Sequence, residues 1–227
     1  MGQHKRYKCV LFDMDGTLVD SYEGIFHAYQ WTMKQMGREF GGEGFVRQAI
    51  GAPLIEVFEN LCGMDRRQAE QAASYYRAYY AERGKHEIMV YDGIEETLKR
   101  LKNAGFFIGT ATLKKENFAK EILKEQGLLS YFDAVCGMDE GDRLTKADLI
   151  RRCMAAAKST KEETVLVGDS VFDAIGAEET EISFLGVTYG FGFCDLDHLK
   201  ECGVQTGAKT AGEIADLLCS EEKGTER

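Results

Sequence analysis

The chain has 227 residues, of which 44% are hydrophobic and 29% charged, a composition typical of a globular protein with one domain or one domain and an insertion. Its net charge of -10 excludes a general attraction to nucleic acid, and it has no run of about 18 apolar residues that would span a membrane. The seven cysteines are scattered without a C-x-x-C pair, which indicates neither a disulfide framework nor a zinc site. We therefore expect a cytoplasmic protein with reduced thiols that binds neither nucleic acid nor membrane.

The first predicted element is a short buried strand. Residues 7–12 form an apolar run that stops at Asp13-Met14-Asp15-Gly16, as expected for a strand that enters a loop. From Ser21 to about Gly84 the apolar residues instead recur at helical spacing. The residues with this spacing are Ile25, Phe26, Tyr29, Met33, Met36, Tyr75, Tyr76, Tyr79 and Tyr80. This spacing predicts a bundle of helices with the aromatic side chains packed in its core.

Strands and helices alternate after Tyr91-Asp92-Gly93. Predicted strands cover 106–110, 132–136, 164–167 and 184–188, and predicted helices cover 94–103, 116–126, 146–157, 173–179 and 211–218. This alternation indicates an α/β fold with a doubly wound parallel sheet. The core would comprise residues 1–16 and 91–227, and residues 17–90 would form an inserted helical cap. The charged tail, residues 220–227, is expected to fray.

Reactive or charged side chains follow four of the predicted strands. In chain order they are Asp13 with Asp15, Thr112, Asp139 with Lys146, and Asp169 with Asp173. Ligands of an open parallel sheet bind beyond the carboxyl ends of its strands. We therefore expect several carboxylates, a hydroxyl group and a lysine to meet at one edge of the sheet.

Clustered carboxylates at this edge predict a bound cation, because like charges within a few ångströms cannot all stay ionised without compensation. Mg²⁺ is a hard cation that takes oxygen ligands, usually from a few carboxylates and a substrate phosphate. Together with Lys146 it would offset the carboxylates and an incoming phosphate group. Removal of the metal should therefore abolish substrate binding as well as chemistry.

The residues at these strand ends resemble the motifs of the haloacid dehalogenase superfamily. Asp13-Met14-Asp15-Gly16-Thr17 is similar to the first motif, D-x-D-G-T, and Thr112 and Lys146 resemble the hydroxyl residue and the lysine of the second and third. The segment Gly168-Asp169-Ser170-Val171-Phe172-Asp173 resembles the fourth motif, G-D-x-x-x-D. The order and spacing of the motifs agree over nearly the whole chain.

Three further segments are similar to the phosphoglycolate phosphatase-like group of this superfamily, whose members carry a helical cap. They are Ile50-Gly51-Ala52-Pro53-Leu54, Tyr91-x-Gly93-Ile94 and Gly186-Val187-x-Tyr189-Gly190-x-Gly192. Two positions depart from the pattern of many relatives, since Lys146 is followed by Ala147 instead of proline and Tyr91 by Asp92 instead of proline. The exact substrate therefore stays open.

The resemblance implies a Rossmann-like core and a magnesium-dependent phosphatase. Asp13 would attack the substrate phosphorus to form an aspartyl-phosphate, which water then hydrolyses. Asp15 would protonate the leaving oxygen and then deprotonate the water, and neighbouring carboxylates and cap closure would favour its protonated form. Thr112 would bond the phosphoryl oxygens, and Lys146 would neutralise charge and orient Asp13.

The resemblance also implies a set of metal ligands. Mg²⁺ would be bound by Asp13, by the backbone carbonyl of Asp15 and by Asp169, with Asp173 either a ligand or a residue that supports the ligands. Some of these residues have structural alternatives. Thr112 is also placed to cap the following helix, Lys146 to be a solvated lysine, and Asp173 to be a first-turn acid that interacts with the helix dipole.

Other functions and residues stay open at this point. A β-phosphoglucomutase-like sugar phosphomutase would use the same two aspartates, whereas a phospho-receiver signalling domain would lack the inserted helices. The substrate would be a small phosphorylated metabolite: phosphoglycolate, a nucleoside monophosphate or a sugar phosphate. Arg47 and Gln48 would contact its leaving group or lie at the surface, and residues 16–22 and 84–91 would be hinges. The oligomeric state is undetermined.

Overall fold

The computed structural model describes residues 7–220, and its centre is a sheet of six parallel strands. The strands of the described chain are β1 (Cys9–Phe12), β2 (Val19–Asp20), β3 (Met89–Val90), β4 (Phe107–Lys115), β5 (Ala134–Met138), β6 (Thr164–Gly168), β7 (Ser183–Val187) and β8 (Gly207–Ala208). The central sheet has the order β5-β4-β1-β6-β7-β8.

Helices follow most of these strands. The α-helices within the described residues are α1 (Tyr22–Gln35), α2 (Gly42–Ala49), α3 (Leu54–Glu56), α4 (Arg66–Glu82), α5 (Ile94–Asn103), α6 (Glu116–Glu125), α7 (Lys146–Ala157), α8 (Val171–Glu179), α9 (Leu196–Glu201) and α10 (Ala211–Cys219). A π-helical turn, Val57–Leu61, continues α3, and 3₁₀ turns cover Gly84–His86 and Leu129–Tyr131.

β1 lies between β4 and β6, and helices cover it on both faces. Val10 belongs to one apolar cluster with Ile94 of α5, whereas Leu11 belongs to another with Leu149 of α7. All four residues of β1 are fully buried, because successive side chains of a strand point to opposite faces. The predicted doubly wound α/β sheet is therefore confirmed.

Residues 22–86, with α1 to α4, form what we call the helical insertion. Its core is aromatic: the ring of Tyr29 lies 5.1 Å from that of Phe45, 5.7 Å from Phe58 and 4.7 Å from Tyr76. These tilted and edge-on contacts are the arrangements that aromatic pairs favour. The predicted core packing is confirmed for Phe26, Tyr29, Tyr76, Tyr79 and Tyr80. It is wrong for Tyr75, which is not a member of this apolar cluster and instead contacts Gln71.

A small antiparallel sheet joins the helical insertion to the rest of the chain. Val19 of β2 pairs with Val90 of β3, and Asp20 pairs with Met89. Both strands lie within the segments predicted as hinges, whose motion stays a prediction. The pairing brings the two predicted domain boundaries, 16/17 and 90/91, close together. The division of the chain into a core and a cap at these boundaries stays a proposal.

The structure differs from the predicted elements mainly at strand ends. β4 runs to Lys115, past the predicted end at residue 110, because the polar side chains beyond that point are buried. β5 begins two residues later than predicted, since a 3₁₀ turn covers Leu129–Tyr131. The short elements α9 and β8 were not predicted, because neither carries a clear apolar period.

The predicted fraying concerns residues 220–227, of which 221–227 lie outside the described residues. Between residues 7 and 220, every helix is too short or too polar to cross a membrane.

Candidate active site

Three aspartates meet at the carboxyl edge of the sheet. Asp13 directly follows β1 and Asp169 directly follows β6, and these strands are neighbours. The N–H of Asp13 donates to the carbonyl of Val167 at 2.9 Å, so the two loops leave the sheet side by side. Asp173 lies in the first turn of α8. One carboxylate oxygen from each aspartate lies within 4.8 Å of the others, and all three residues are buried.

Lys146 places a positive charge among these carboxylates. It is the first residue of α7, whose start is fixed by a reciprocal pair of side-chain hydrogen bonds between Thr145 and Asp148. The Nζ atom of Lys146 donates to Oδ1 of Asp13 at 2.6 Å and lies 2.5 Å from Oδ1 of Asp173. Lys146 therefore holds the two carboxylates in one buried cluster.

Burial dominates the protonation of this cluster. It raises the pKa of Asp13 to about 7, against the opposing charge of Lys146 and with further repulsion from Asp173. Burial and the charges of Asp173 and Asp13 likewise raise the pKa of Asp169 to about 8. Burial lowers the pKa of the Lys146 ammonium, but the two carboxylates beside it outweigh that effect and leave it raised.

The cluster has the composition of a divalent-cation site. Asp13, Asp169 and Asp173 contribute three carboxylates, and Lys146 compensates only one negative charge. The donors are all carboxylate oxygens, which are the ligands that hard divalent cations prefer. Burial and mutual repulsion raise the pKa of Asp13 and of Asp169, and a proton or a bound cation would relieve both effects. These residues fit a divalent cation.

Asp169 is held by a glycine-containing loop. Its Oδ2 accepts hydrogen bonds from the backbone N–H groups of Phe191 at 2.8 Å and Gly192 at 3.2 Å. A Cβ atom at Gly190 would lie 2.2 Å from the carbonyl oxygen of Gly16 and 2.5 Å from Cβ of Asp169. The loop approaches the aspartate this closely only because residue 190 has no side chain.

Asp15 lies beside this cluster and has different neighbours. Its Oδ1 accepts a hydrogen bond from the Ser21 hydroxyl at 2.5 Å and lies 3.1 Å from Nζ of Lys114. The groups in contact with Oδ1 of Asp15 are thus a hydroxyl and an ammonium, and the acid–base role of Asp15 stays a prediction. Its carboxylate is not part of the three-aspartate group. A metal-binding role for its backbone carbonyl stays a prediction.

Thr112 is buried within β4, at the same edge of the sheet. Its Oγ1 accepts a hydrogen bond from the N–H of Lys114 at 3.2 Å. The alternative role as the cap of α6 is wrong, because that helix begins at Glu116 and Lys115 occupies the capping position. Thr112 thus places its hydroxyl at the same edge of the sheet as Asp13, and its role as a ligand of the phosphoryl group stays a prediction.

A cavity of about 610 Å³ lies between this edge and the helical insertion. The core contributes residues on the floor of the cavity, and the helical insertion contributes mainly apolar and aromatic residues. Those relevant to the chemistry are Asp13, Asp15, Thr112, Lys114, Lys146, Asp173, Tyr29, Tyr76 and Tyr80. The cavity is therefore a substrate-sized site that contains the predicted nucleophile, acid–base group, hydroxyl and lysine together.

The family model for the haloacid dehalogenase-like hydrolases matches residues 10–187, which include all four motifs. This chain belongs to that family. Among solved structures, a predicted phosphatase from Clostridium acetobutylicum superposes on this haloacid dehalogenase-like hydrolase with a TM-score of 0.89 and 35% sequence identity. The match covers 94% of this chain and 98% of the other, so the two proteins share the helical insertion as well as the sheet.

Three curated relatives carry different names. A 5'-nucleotidase of Pseudomonas aeruginosa is 34% identical over 82% of this chain and 85% of its own. A phosphoglycolate phosphatase of Pseudomonas syringae is 32% identical over 81% of this chain and 70% of its own. A tyrosine-protein kinase, PtkA, of Mycobacterium tuberculosis is 31% identical over 92% of this chain and 72% of its own. The predicted class, a phosphoric monoester hydrolase of this family, is confirmed.

Several residues predicted near the site lie elsewhere. Asp139 does not join the carboxylate cluster of this hydrolase, because it accepts hydrogen bonds from the backbone and the side chain of Arg143. Arg47 and Gln48 are exposed, and the guanidinium of Arg47 lies 5.6 Å from the centre of the Tyr22 ring, outside the residues that line the active-site cavity. For Arg47 and Gln48, the surface alternative is therefore the better description.

Sequence reasoning missed two links between the helical insertion and the core. Tyr80 of α4 contacts Lys114, and Arg77 of α4 forms an ion pair with Asp142, which also pairs with Lys115 at 2.9 Å. The sequence feature that indicates these links is the pair Lys114-Lys115 at the end of β4. Two lysines at the end of a buried strand require partners, and α4 and the loop before α7 provide them.

Proposed function

We propose that this hydrolase is a magnesium-dependent phosphatase that cleaves a small phosphomonoester through an aspartyl-phosphate on Asp13. The observation that carries the proposal is the placement of Asp13. Its carboxylate lies at the floor of the cavity, with Lys146 at 2.6 Å on one oxygen and two more aspartates beside it. This is the arrangement that a nucleophilic carboxylate needs if a phosphate dianion is to approach it.

In this proposal Asp13, Asp169 and Asp173 hold the metal, with the backbone carbonyl of Asp15 as a further ligand. When bound, Mg²⁺ neutralises the developing charge on the phosphoryl oxygens. Lys146 remains charged and keeps Oδ1 of Asp13 in place. The other oxygen, Oδ2, accepts no hydrogen bond from any residue between 7 and 220.

The reaction has two displacements. A carboxylate oxygen of Asp13 attacks phosphorus, the bond to the leaving oxygen breaks, and Asp15 gives that oxygen a proton. Asp15, now ionised, takes a proton from water as the water attacks the aspartyl-phosphate. The bond between phosphorus and Asp13 then breaks, which releases inorganic phosphate and restores both carboxyl groups. Thr112 donates to the phosphoryl oxygens in both steps.

The helical insertion acts as the cap in this proposal and selects the leaving group. Its contribution to the cavity includes Tyr29, Tyr76 and Tyr80, which offer apolar area with polar tips. Phosphoglycolate, a nucleoside monophosphate or a small sugar phosphate is the candidate substrate.

All seven cysteines are free thiols, which supports a cytoplasmic location.

The test is a phosphate-release assay with these esters and a generic aryl phosphate, with Mg²⁺ or with a chelator. Phosphate release that requires Mg²⁺ supports the proposal, and the best ester identifies the leaving group. Turnover of a hexose 1-phosphate that depends on its bisphosphate, without phosphate release, would instead identify a phosphomutase. Activity that is unchanged in chelator contradicts the proposed metal dependence.

Metal removal is also expected to change how stability depends on pH. Burial raises the pKa of Asp13 to about 7 and of Asp169 to about 8 from the ordinary 3.8, so between about pH 4 and 8 the metal-free folded protein binds more protons than the unfolded chain. Its free energy of unfolding should therefore fall as pH rises through this window. Mg²⁺ replaces these protons, so its stabilising effect should grow with pH.

The measurement is the difference in Tm between Mg²⁺ and chelator, taken across this pH window. Because only the difference is used, titrating groups elsewhere in the protein cancel. Asp169→Asn is expected to reduce both the difference and its pH dependence, whereas Asp139→Asn leaves them unchanged. A difference of the same size at every pH would show that Mg²⁺ does not bind at these carboxylates.

A further inference from the structure

A second buried lysine lies next to Asp15. Lys114 lies near the end of β4, and its side chain is only 7% exposed. Its Nζ atom lies 3.1 Å from Oδ1 of Asp15 and donates a hydrogen bond to the Tyr80 hydroxyl at 2.7 Å. Its backbone N–H donates to Oγ1 of Thr112. Lys114 therefore contacts the proposed acid–base group, the proposed phosphoryl ligand and the helical insertion.

The contacts of Asp15 divide unevenly between its two oxygens. Ser21 and Lys114 both contact Oδ1, whereas Oδ2 accepts no hydrogen bond from a residue in the described part of the chain. Two contacts on one oxygen fix the direction of the carboxylate and leave the other oxygen available. A proton donor must come within about 2.6–3.2 Å of the leaving oxygen, so this direction decides whether transfer occurs.

Tyr80 extends this arrangement to the helical insertion. It lies on α4 and is 2% exposed, and Nζ of Lys114 lies 4.2 Å from its ring centre as well as within hydrogen-bond distance of its hydroxyl. Burial lowers the pKa of Lys114, but Asp15 and Tyr80 outweigh this effect, so the lysine stays charged. Burial raises the pKa of Tyr80 to about 12, so its hydroxyl stays neutral and accepts from the lysine.

We infer that Lys114 is a positioning residue for Asp15, and that Tyr80 makes this positioning depend on where α4 lies over the site. The lysine does not react. It contacts Oδ1 of Asp15, the oxygen that does not transfer the proton. The lysine is itself held by its hydrogen bond to Tyr80 of the helical insertion. Displacement of α4 would remove one of its two side-chain partners. The inference rests on the proposed function, because it gives Asp15 the role of acid and base.

The experiment compares Lys114→Met with Asp15→Asn in single-turnover release of the leaving group. One substrate is an alkyl phosphate, whose leaving oxygen needs a proton, and the other is p-nitrophenyl phosphate, whose leaving oxygen does not. In Lys114→Met the alkyl rate is expected to fall about 10²-fold and the aryl rate much less, the same pattern as in Asp15→Asn. KM should change little for either ester.

Two further variants refine the test. Tyr80→Phe keeps the ring and is expected to lower the alkyl rate about tenfold, the effect of one hydrogen bond to a charged group, but to have no further effect when Lys114 is already methionine. Lys115→Met removes the neighbouring buried lysine, which pairs with Asp142 and does not touch Asp15, and should leave the ratio of alkyl to aryl rates unchanged.

The outcomes separate the inference from the proposed function. If the wild type cleaves neither ester, the proposed function fails. If it cleaves both, and Lys114→Met raises KM for both equally while the ratio of rates stays constant, Lys114 is a phosphate ligand and the inference alone is overturned. If Lys114→Met does not fold, the inference depends on Tyr80→Phe: selective loss of the alkyl rate supports it, and equal loss of both rates contradicts it.

Discussion

Replacing Asp13 by asparagine is expected to lower kcat by at least about 10³-fold for every ester that the wild type cleaves. The amide is a poor nucleophile, so no aspartyl-phosphate forms. The fold should persist, because asparagine has almost the same shape and Asp13 is a buried carboxyl whose pKa is already raised to about 7. The measurements are steady-state phosphate release and the Tm in chelator, where no metal depends on residue 13.

Asp139→Asn is the matched control, because Asp139 also follows a strand but pairs with Arg143 outside the carboxylate cluster. It should keep activity within about twofold of the wild type, because asparagine has almost the same shape and the contacts of residue 139 with Arg143 lie outside the carboxylate cluster. If Asp13→Asn is as active as this control, Asp13 is not the nucleophile, whether or not the variant still binds the metal.

Replacing Lys146 by methionine is expected to lower kcat by about 10²–10³-fold, the usual cost of removing one charge-stabilising donor from a phosphoryl or acyl transfer site. The change leaves Asp13 and Asp173 without their shared cation, which in a buried pair costs about 3–5 kcal/mol of folding stability. Thermal unfolding in chelator should show this loss. Added Mg²⁺ should recover part of the stability but not the rate.

The matched control for this variant is Lys120→Met, an exposed lysine on α6 that pairs with Glu116 four residues before it. Exposed pairs of this kind contribute little to stability, so neither rate nor Tm should change appreciably. If Lys146→Met behaves like Lys120→Met in both measurements, the buried contacts of Lys146 have no role in the reaction.

The positions of the reactive side chains could be predicted because strand ends are easy to recognise. β1 and β6 are short apolar runs that stop abruptly at Asp13 and Asp169, and adjacent parallel strands bring such ends to one edge. The structure places Lys146 and Asp173 with them in one buried group. Their roles in the reaction stay predictions until the variants are measured.

The contacts of the helical insertion could not be predicted in the same way. Helical spacing identifies Tyr80 as an apolar-face residue, but it does not show that the hydroxyl reaches Lys114 of another element. Asp139 shows the opposite error. It follows a strand as Asp13 does, yet a local contact with Arg143 four residues later holds it away from the cluster. Sequence position gives the edge of the sheet, and tertiary packing decides which side chains meet there.

The most direct test of the central claim is to trap the aspartyl-phosphate. The enzyme is mixed with its best ester and Mg²⁺, quenched in acid within one turnover and reduced with borohydride, which converts an aspartyl-phosphate to homoserine. Peptide mass spectrometry then locates the homoserine. We expect it at residue 13 in the wild type and nowhere in Asp13→Asn. Full phosphate release without homoserine at residue 13, or homoserine at another aspartate, would contradict Asp13 as the nucleophile.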